Sequence, residues 1–162
     1  MFELKTLSKE SVPAALEKAM RYRLLNEPGE AESICLDVLS ADPDNQEALV
    51  TLLLALTDRF GRGYSVGALD ARDVVARLRD PYERAYYGGI IHERKAKARL
   101  QAGFSHDAYE HLREAMTSYE EAGKISPPGN ADSLLRWNAC ARMIMSNRLE
   151  PRSMESAGLE MD

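Results

Sequence analysis

Gly29-Glu30-Ala31-Glu32-Ser33-Ile34-Cys35-Leu36-Asp37-Val38-Leu39-Ser40-Ala41-Asp42-Pro43-Asp44-Asn45-Gln46-Glu47-Ala48-Leu49 reads as a helix, a hard stop and a new helix. Ala31, Ile34, Cys35, Val38 and Leu39 recur at helical spacing and make one apolar stripe. Pro43 ends that helix, because the residue before a proline is pushed out of the helical region. Asp44 or Asn45 then offers a side-chain oxygen to the first free amides of the next helix. Small residues on the buried face and a proline-marked break point to stacked helices and against strands.

The same pattern extends in both directions. Upstream, a first helix is expected from near Ser8 or Ser11, with Pro13 tolerated in its first turn, to the Pro28-Gly29 break. Downstream, Ala48-Leu49-Val50-Thr51-Leu52-Leu53-Leu54-Ala55-Leu56 is apolar almost all round, so the third helix is the expected buried centre. Gly61, Gly63 and Gly67 mark a flexible connection. A fourth helix is expected over about 68–79, a fifth over about 82–102 and a sixth over about 105–124, with a seventh over about 131–147 after Pro127-Pro128-Gly129. β-Branched residues are sparse and no alternating pattern persists, so the expected class is all-α, a bundle or an α-solenoid of about seven helices. Residues 1–150 are read as one domain. Residues 151–162 lack a periodic apolar face and are read as a disordered tail.

The spacing of small residues resembles the tetratricopeptide repeat family, a helix pair of about 34 residues with a W-x2-L-G-x2-Y, A-x3-F, P pattern. The first copy is Ala15-x2-Lys18-Ala19-x2-Tyr22, Ala31-x3-Cys35 and Pro43, in which Ala15, Lys18 and Cys35 stand where larger apolar residues are usual. The second opens with Leu49-x2-Leu52-Leu53-x2-Leu56 and stops at Asp80-Pro81. The third offers Ala96, Gly103, Ala108-x3-Leu112 and Ala115, with His92, Lys95 and Arg99 at poorly matching positions. Trp137-x2-Cys140-Ala141-x2-Ile144 matches a first helix with no second after it. Successive openings at Ala15, Leu49, His92 and Trp137 lie 34, 43 and 45 residues apart, so the later units are longer than the standard repeat. The resemblance implies a right-handed α-solenoid of antiparallel helix pairs, three pairs and a C-terminal capping helix over about residues 8–147. An irregular seven-helix bundle is the rival.

Composition fits a globular chain of ordinary polarity, with 44% hydrophobic and 29% charged residues. No apolar run is long enough to span a bilayer. The opening Met1-Phe2-Glu3-Leu4-Lys5 lacks a basic segment followed by an apolar one, so no secretory leader is expected. Cys35 and Cys140 lie in separate helical patterns and are expected as buried free thiols, which suits a reducing cytoplasm. The net charge of −5 argues against general nucleic-acid binding. Residues 61–100 are the exception, with 9 basic and 5 acidic residues. Within them Arg84, Lys95 and Arg99 share a helical arc of roughly 60°, flanked by Arg94 and Lys97. A solvated face is the simpler reading of that arc, and an anion site the sharper one.

No catalytic signature emerges. The sequence has no P-loop, dinucleotide fingerprint or nucleophile elbow. His92-Glu93 has no second histidine at metalloprotease spacing, and His106 and His111 are five apart, off a common helix face. No metal or cofactor is therefore expected. Gly88-Gly89 inside a helix reads as a close-packing point, and Tyr86, Tyr87 and Trp137 as core rather than ligand platforms.

What remains is binding. In the family this chain resembles, the first helix of each pair lines a concave groove, through residues one and five places after the tryptophan position. Carried over, these are Leu16 and Met20, Val50 and Leu54, Glu93 and Lys97, and Asn138 and Arg142. The four-residue spacing puts each pair on one helix face. The resemblance thus implies a non-enzymatic module that takes a protein or peptide with an apolar anchor and an acidic part. The apolar part would meet Leu16, Met20, Val50 and Leu54, and a carboxylate would meet Lys97, Asn138 and Arg142. Two other readings stand beside it: a homo-oligomer, such as a dimer, built on the apolar first half, and a small helical enzyme with an unrecognised site.

Overall fold

The computed structural model describes residues 1–62 and 70–153. Gly63, Gly67 and residues 154–162 of the expected tail lie outside the described residues. A 3-10 turn at Lys9–Ser11 leads into α1 (Val12–Leu24), followed by α2 (Pro28–Ala41), α3 (Gln46–Asp58), α4 (Ala71–Ala76), α5 (Pro81–Gln101), α6 (Ser105–Lys124) and α7 (Asp132–Ser146). Among the described residues there are seven α-helices and no strand.

The ends follow local chemistry. The side chains of Asn45, Asp70 and Asp80 accept hydrogen bonds from the first-turn amides of Ala48, Arg72 and Tyr82, each at 2.9 Å. Asn130 accepts from the amide of Asp132 at 3.0 Å, opening α7. Three helices close alike, with a left-handed residue just past the end and amides folding back onto the last carbonyls. Asn26 (φ 62°), Gly103 (φ 89°) and Arg148 (φ 51°) occupy these positions. The following amides, of Glu27, Phe104 and Leu149, reach the carbonyls of Tyr22, Arg99 and Ile144. The fourth helix is shorter than its expected span. The chain leaves it at Arg77, and Arg77 and Arg79 instead bond to Pro43 and Gln46 at the start of α3, while Leu78 is buried.

Each helix packs on the next in the chain; α1 also touches α3, and α3 touches α5. Asp58 joins all three of these: its carboxylate takes Arg23 of α1 at 2.7 Å and Arg94 of α5 at 3.4 Å. The close packing depends on alanines with no exposed surface, among them Ala19, Ala31, Ala48, Ala55, Ala96, Ala108 and Ala115. The buried residues form two clusters. One is built on α1–α4 with Ile91 of α5, the other on α5–α7. Leu54 and Tyr87 pack against both. As expected, α3 is the buried centre of the first cluster, with Leu49, Leu52, Leu53 and Leu56 almost without exposure.

Candidate functional site

Glu93 is the most unusual side chain in the fold, a carboxylate that is 1% exposed. Burying a charge is costly unless it is paired and hydrogen-bonded, and Glu93 is surrounded by partners. Arg136 of α7 reaches it with Nε at 3.1 Å from Oε1 and Nη2 at 2.5 Å from Oε2. Lys97, one turn on in α5, places Nζ 3.0 Å from Oε2. The Tyr119 hydroxyl of α6 donates to Oε1 at 3.1 Å, and the Cys140 thiol of α7 lies 3.5 Å from the same oxygen. One carboxylate therefore binds the last three helices together. Gly89, one turn earlier, makes room for this: a Cβ there would stand 2.5 Å from Cε1 of Tyr119. Tyr86 packs against the Tyr119 ring at 5.8 Å.

Burial and neighbouring charge shift the Glu93, Tyr119 and Cys140 groups. Burial pushes the Glu93 carboxyl up, but hydrogen bonds and charge from Arg136 and Lys97 outweigh it and leave the group below its ordinary value. Burial, and then the charge of Glu93, push the Tyr119 hydroxyl up and the Cys140 thiol up to about 12. This network moves its carboxyl, phenol and thiol away from neutrality and acts as a polar clasp.

Beside the clasp, α6 and α7 leave a groove of about 430 Å³, lined by Tyr119, Glu120 and Gly123 on one side and Ser133, Leu134, Trp137 and Asn138 on the other. Glu120 accepts the indole N–H of Trp137 at 3.0 Å, fixing the ring in the wall. Leu134 is 59% exposed at one end. Leu134, Asn138 and Arg142 follow at four-residue steps along α7, so they share a face. Arg142 is exposed, and its guanidinium pairs with no carboxylate among the described residues.

The residues named from the sequence are thereby dispersed. Leu16 is buried in the first core, while Met20, one turn later, is 50% exposed. Val50 and Leu54 are partly buried against the core. Glu93 lies inside the clasp rather than on an open face, and the Lys97 ammonium is turned onto it. Asn138 lines the α7 groove and is partly exposed, and Arg142 is exposed one turn beyond the lining residues. Of the four other cations of α5, three have a close partner within the fold and, among the described residues, Lys95 does not. Arg84 donates to the carbonyls of Leu78 and Arg79, Arg94 meets Asp58, and Arg99 lies over the Phe104 ring at 5.5 Å.

Sequence reasoning missed Arg136 and Tyr119. Nothing local marks them, because their partner lies 43 and 26 positions away. It also missed a second cluster, formed where His92 of α5 meets His111 and Glu114 of α6. No family model matches the chain, and neither a curated protein nor a solved structure shows significant similarity to it. No helix among the described residues is long and apolar enough to cross a membrane.

Proposed function

We propose that this chain is a non-enzymatic binding module, a tetratricopeptide-like right-handed solenoid of antiparallel helix pairs with α7 as its cap. It takes a protein segment along the outer face of α7, in a cytoplasmic setting. The contact of α1 with α3 and of α3 with α5, beside the packing of chain neighbours, supports the repeat architecture. The groove takes an apolar anchor between Leu134 and Trp137. Asn138 offers an amide to the segment, and Arg142 takes a carboxylate one turn further on. The observation that carries this reading is the exposure of Arg142 without a carboxylate partner beside an apolar groove, when most cations of α5 are occupied internally.

Selection from a random peptide library, followed by fluorescence anisotropy, tests it. Selected peptides should share an apolar residue close to an acidic side chain or terminal carboxylate. Their affinity should fall about tenfold or more in Arg142→Glu and in Leu134→Asp, a loss of about 1.4 kcal/mol or more. Selected peptides that bind both variants as well as wild type refute the site.

A second reading rests on α1, whose end exposes Met20 (50%), Leu24 (87%) and Leu25 (63%) together. Such a patch suits a self-association face. Sedimentation equilibrium of wild type beside Leu24→Glu decides it, since a dimer built there dissociates in the variant.

A further inference from the structure

His92 belongs to α5, and His111 and Glu114 are three residues apart on the facing side of α6. One donor atom from each lies within 4.8 Å of the other two. Nδ1 of His92 is 2.9 Å from Oε2 of Glu114, yet out of line for a hydrogen bond. Nδ1 of His111 is likewise buried and makes no hydrogen bond. The two imidazoles stack, 6.1 Å apart at 27°. A buried polar atom without a partner loses its hydration and gains nothing in return, and native folds avoid it. One nitrogen from each ring and a Glu114 carboxylate oxygen stand close enough for a single cation to draw on all three.

We propose that His92, His111 and Glu114 form a binding site for a divalent transition-metal ion, with zinc the ion that their donors suit. Two imidazoles and one carboxylate are a zinc donor set that leaves the fourth position to water. With Zn–N bonds of about 2.0–2.1 Å, tetrahedral donors stand about 3.3 Å apart. The widest pair here must therefore close by no more than about 1.5 Å. The Glu114 side chain is 57% exposed, which gives an ion access and room for the water. Magnesium and calcium, which prefer more oxygen donors, fit poorly.

Burial holds His92 below its ordinary value, against the pull of Glu114, with Lys95, His111 and Arg72 acting in the same direction as burial. Lys95 and Arg72 also repel a cation, and Glu114 is the carboxylate that offsets them. The site is independent of the α7 groove, and an occupied site would pin α5 to α6.

The test is calorimetric titration of the full, chelator-treated chain with Zn2+, and visible absorption with Co2+. Wild type should bind one equivalent. His111→Ala and Glu114→Gln should each weaken zinc about tenfold or more and lose the cobalt bands. His106→Ala should change nothing, since His106 is exposed and its Nδ1 lies 3.1 Å from the Glu150 carbonyl oxygen. Circular dichroism without metal checks folding; Glu114 is exposed enough that its variant decides the matter even if His111→Ala unfolds. A wild type that binds no zinc, or binds it no more tightly than Glu114→Gln, overturns the proposal.

Discussion

Gly89 and Tyr119 occupy space that only one Cβ-free residue allows them to share. A Cβ on Gly89 would lie 2.5, 2.8 and 2.9 Å from three ring carbons of Tyr119. The ring cannot easily move, because it is 1% exposed and its hydroxyl is held by Glu93. Replacing a mid-helix glycine with alanine ordinarily gains about 1 kcal/mol in helix propensity. Overpacking a tight core costs about 1–3 kcal/mol, and here the contact is with a fixed ring. Gly89→Ala should therefore lower the stability of the protein, by about 1–2 kcal/mol. Gly88→Ala, where the space is open, should raise it. Urea denaturation of the two variants side by side reads the opposite signs.

The clasp should behave as a unit. Removing one member of a buried ion pair costs about 3–5 kcal/mol. The Arg136 side chain is 34% exposed, so water recovers part of that, and Glu93→Gln should cost about 2–4 kcal/mol. Arg136→Leu should cost a similar amount. The double variant should cost less than the two together, with a coupling of about 1–3 kcal/mol. Additive losses in that cycle would show that Arg136 and Glu93 are neighbours without being partners.

Both thiols should be silent in the folded protein. Cys35 and Cys140 have no exposed surface, and burial is the first cause that pushes each up from 9.0 to about 12. A thiol-reactive dye at neutral pH should label neither without denaturant and both with it. The shift also gives alkaline instability. In the unfolded chain these thiols ionise near 9.0, whereas in the fold they keep their protons to about 12. The native state thus binds more protons in that window, and stability must fall as pH rises through it. Cys35→Ala with Cys140→Ala, compared with wild type across that range, should flatten the fall.

Helix boundaries were legible because they rest on local chemistry. Pro28, Pro43, Pro81 and the caps Asn45 and Asp80 act within a few residues of themselves, and the elements fall where those residues place them. The site was less legible because it rests on distance. Glu93 and Lys97 at four-residue spacing suggest a surface pair, and they do form one bond; the other partners of Glu93, Tyr119 and Arg136, lie 26 and 43 positions on. Nothing on α5 alone tells a charged groove from a charged interior. The His92–His111 meeting was hidden for the same reason: its two nitrogens come from separate helices, so no ligand spacing appears along the chain. Leu16 illustrates the converse. Its position on α1 is regular, but the packing of α2 and α3 closes over it.

The division of the interior into two clusters, joined through Ile91, Leu54, Tyr87 and the Arg94–Asp58 pair, has a bearing on how this molecule comes apart. Such a division predicts that α1–α4 and α5–α7 open as two units at different denaturant concentrations. The single tryptophan, Trp137, belongs to the second. Its fluorescence is a gauge of half the protein: it follows the loss of α5–α7 and is blind to an earlier opening of α1–α4, which helical circular dichroism alone would register.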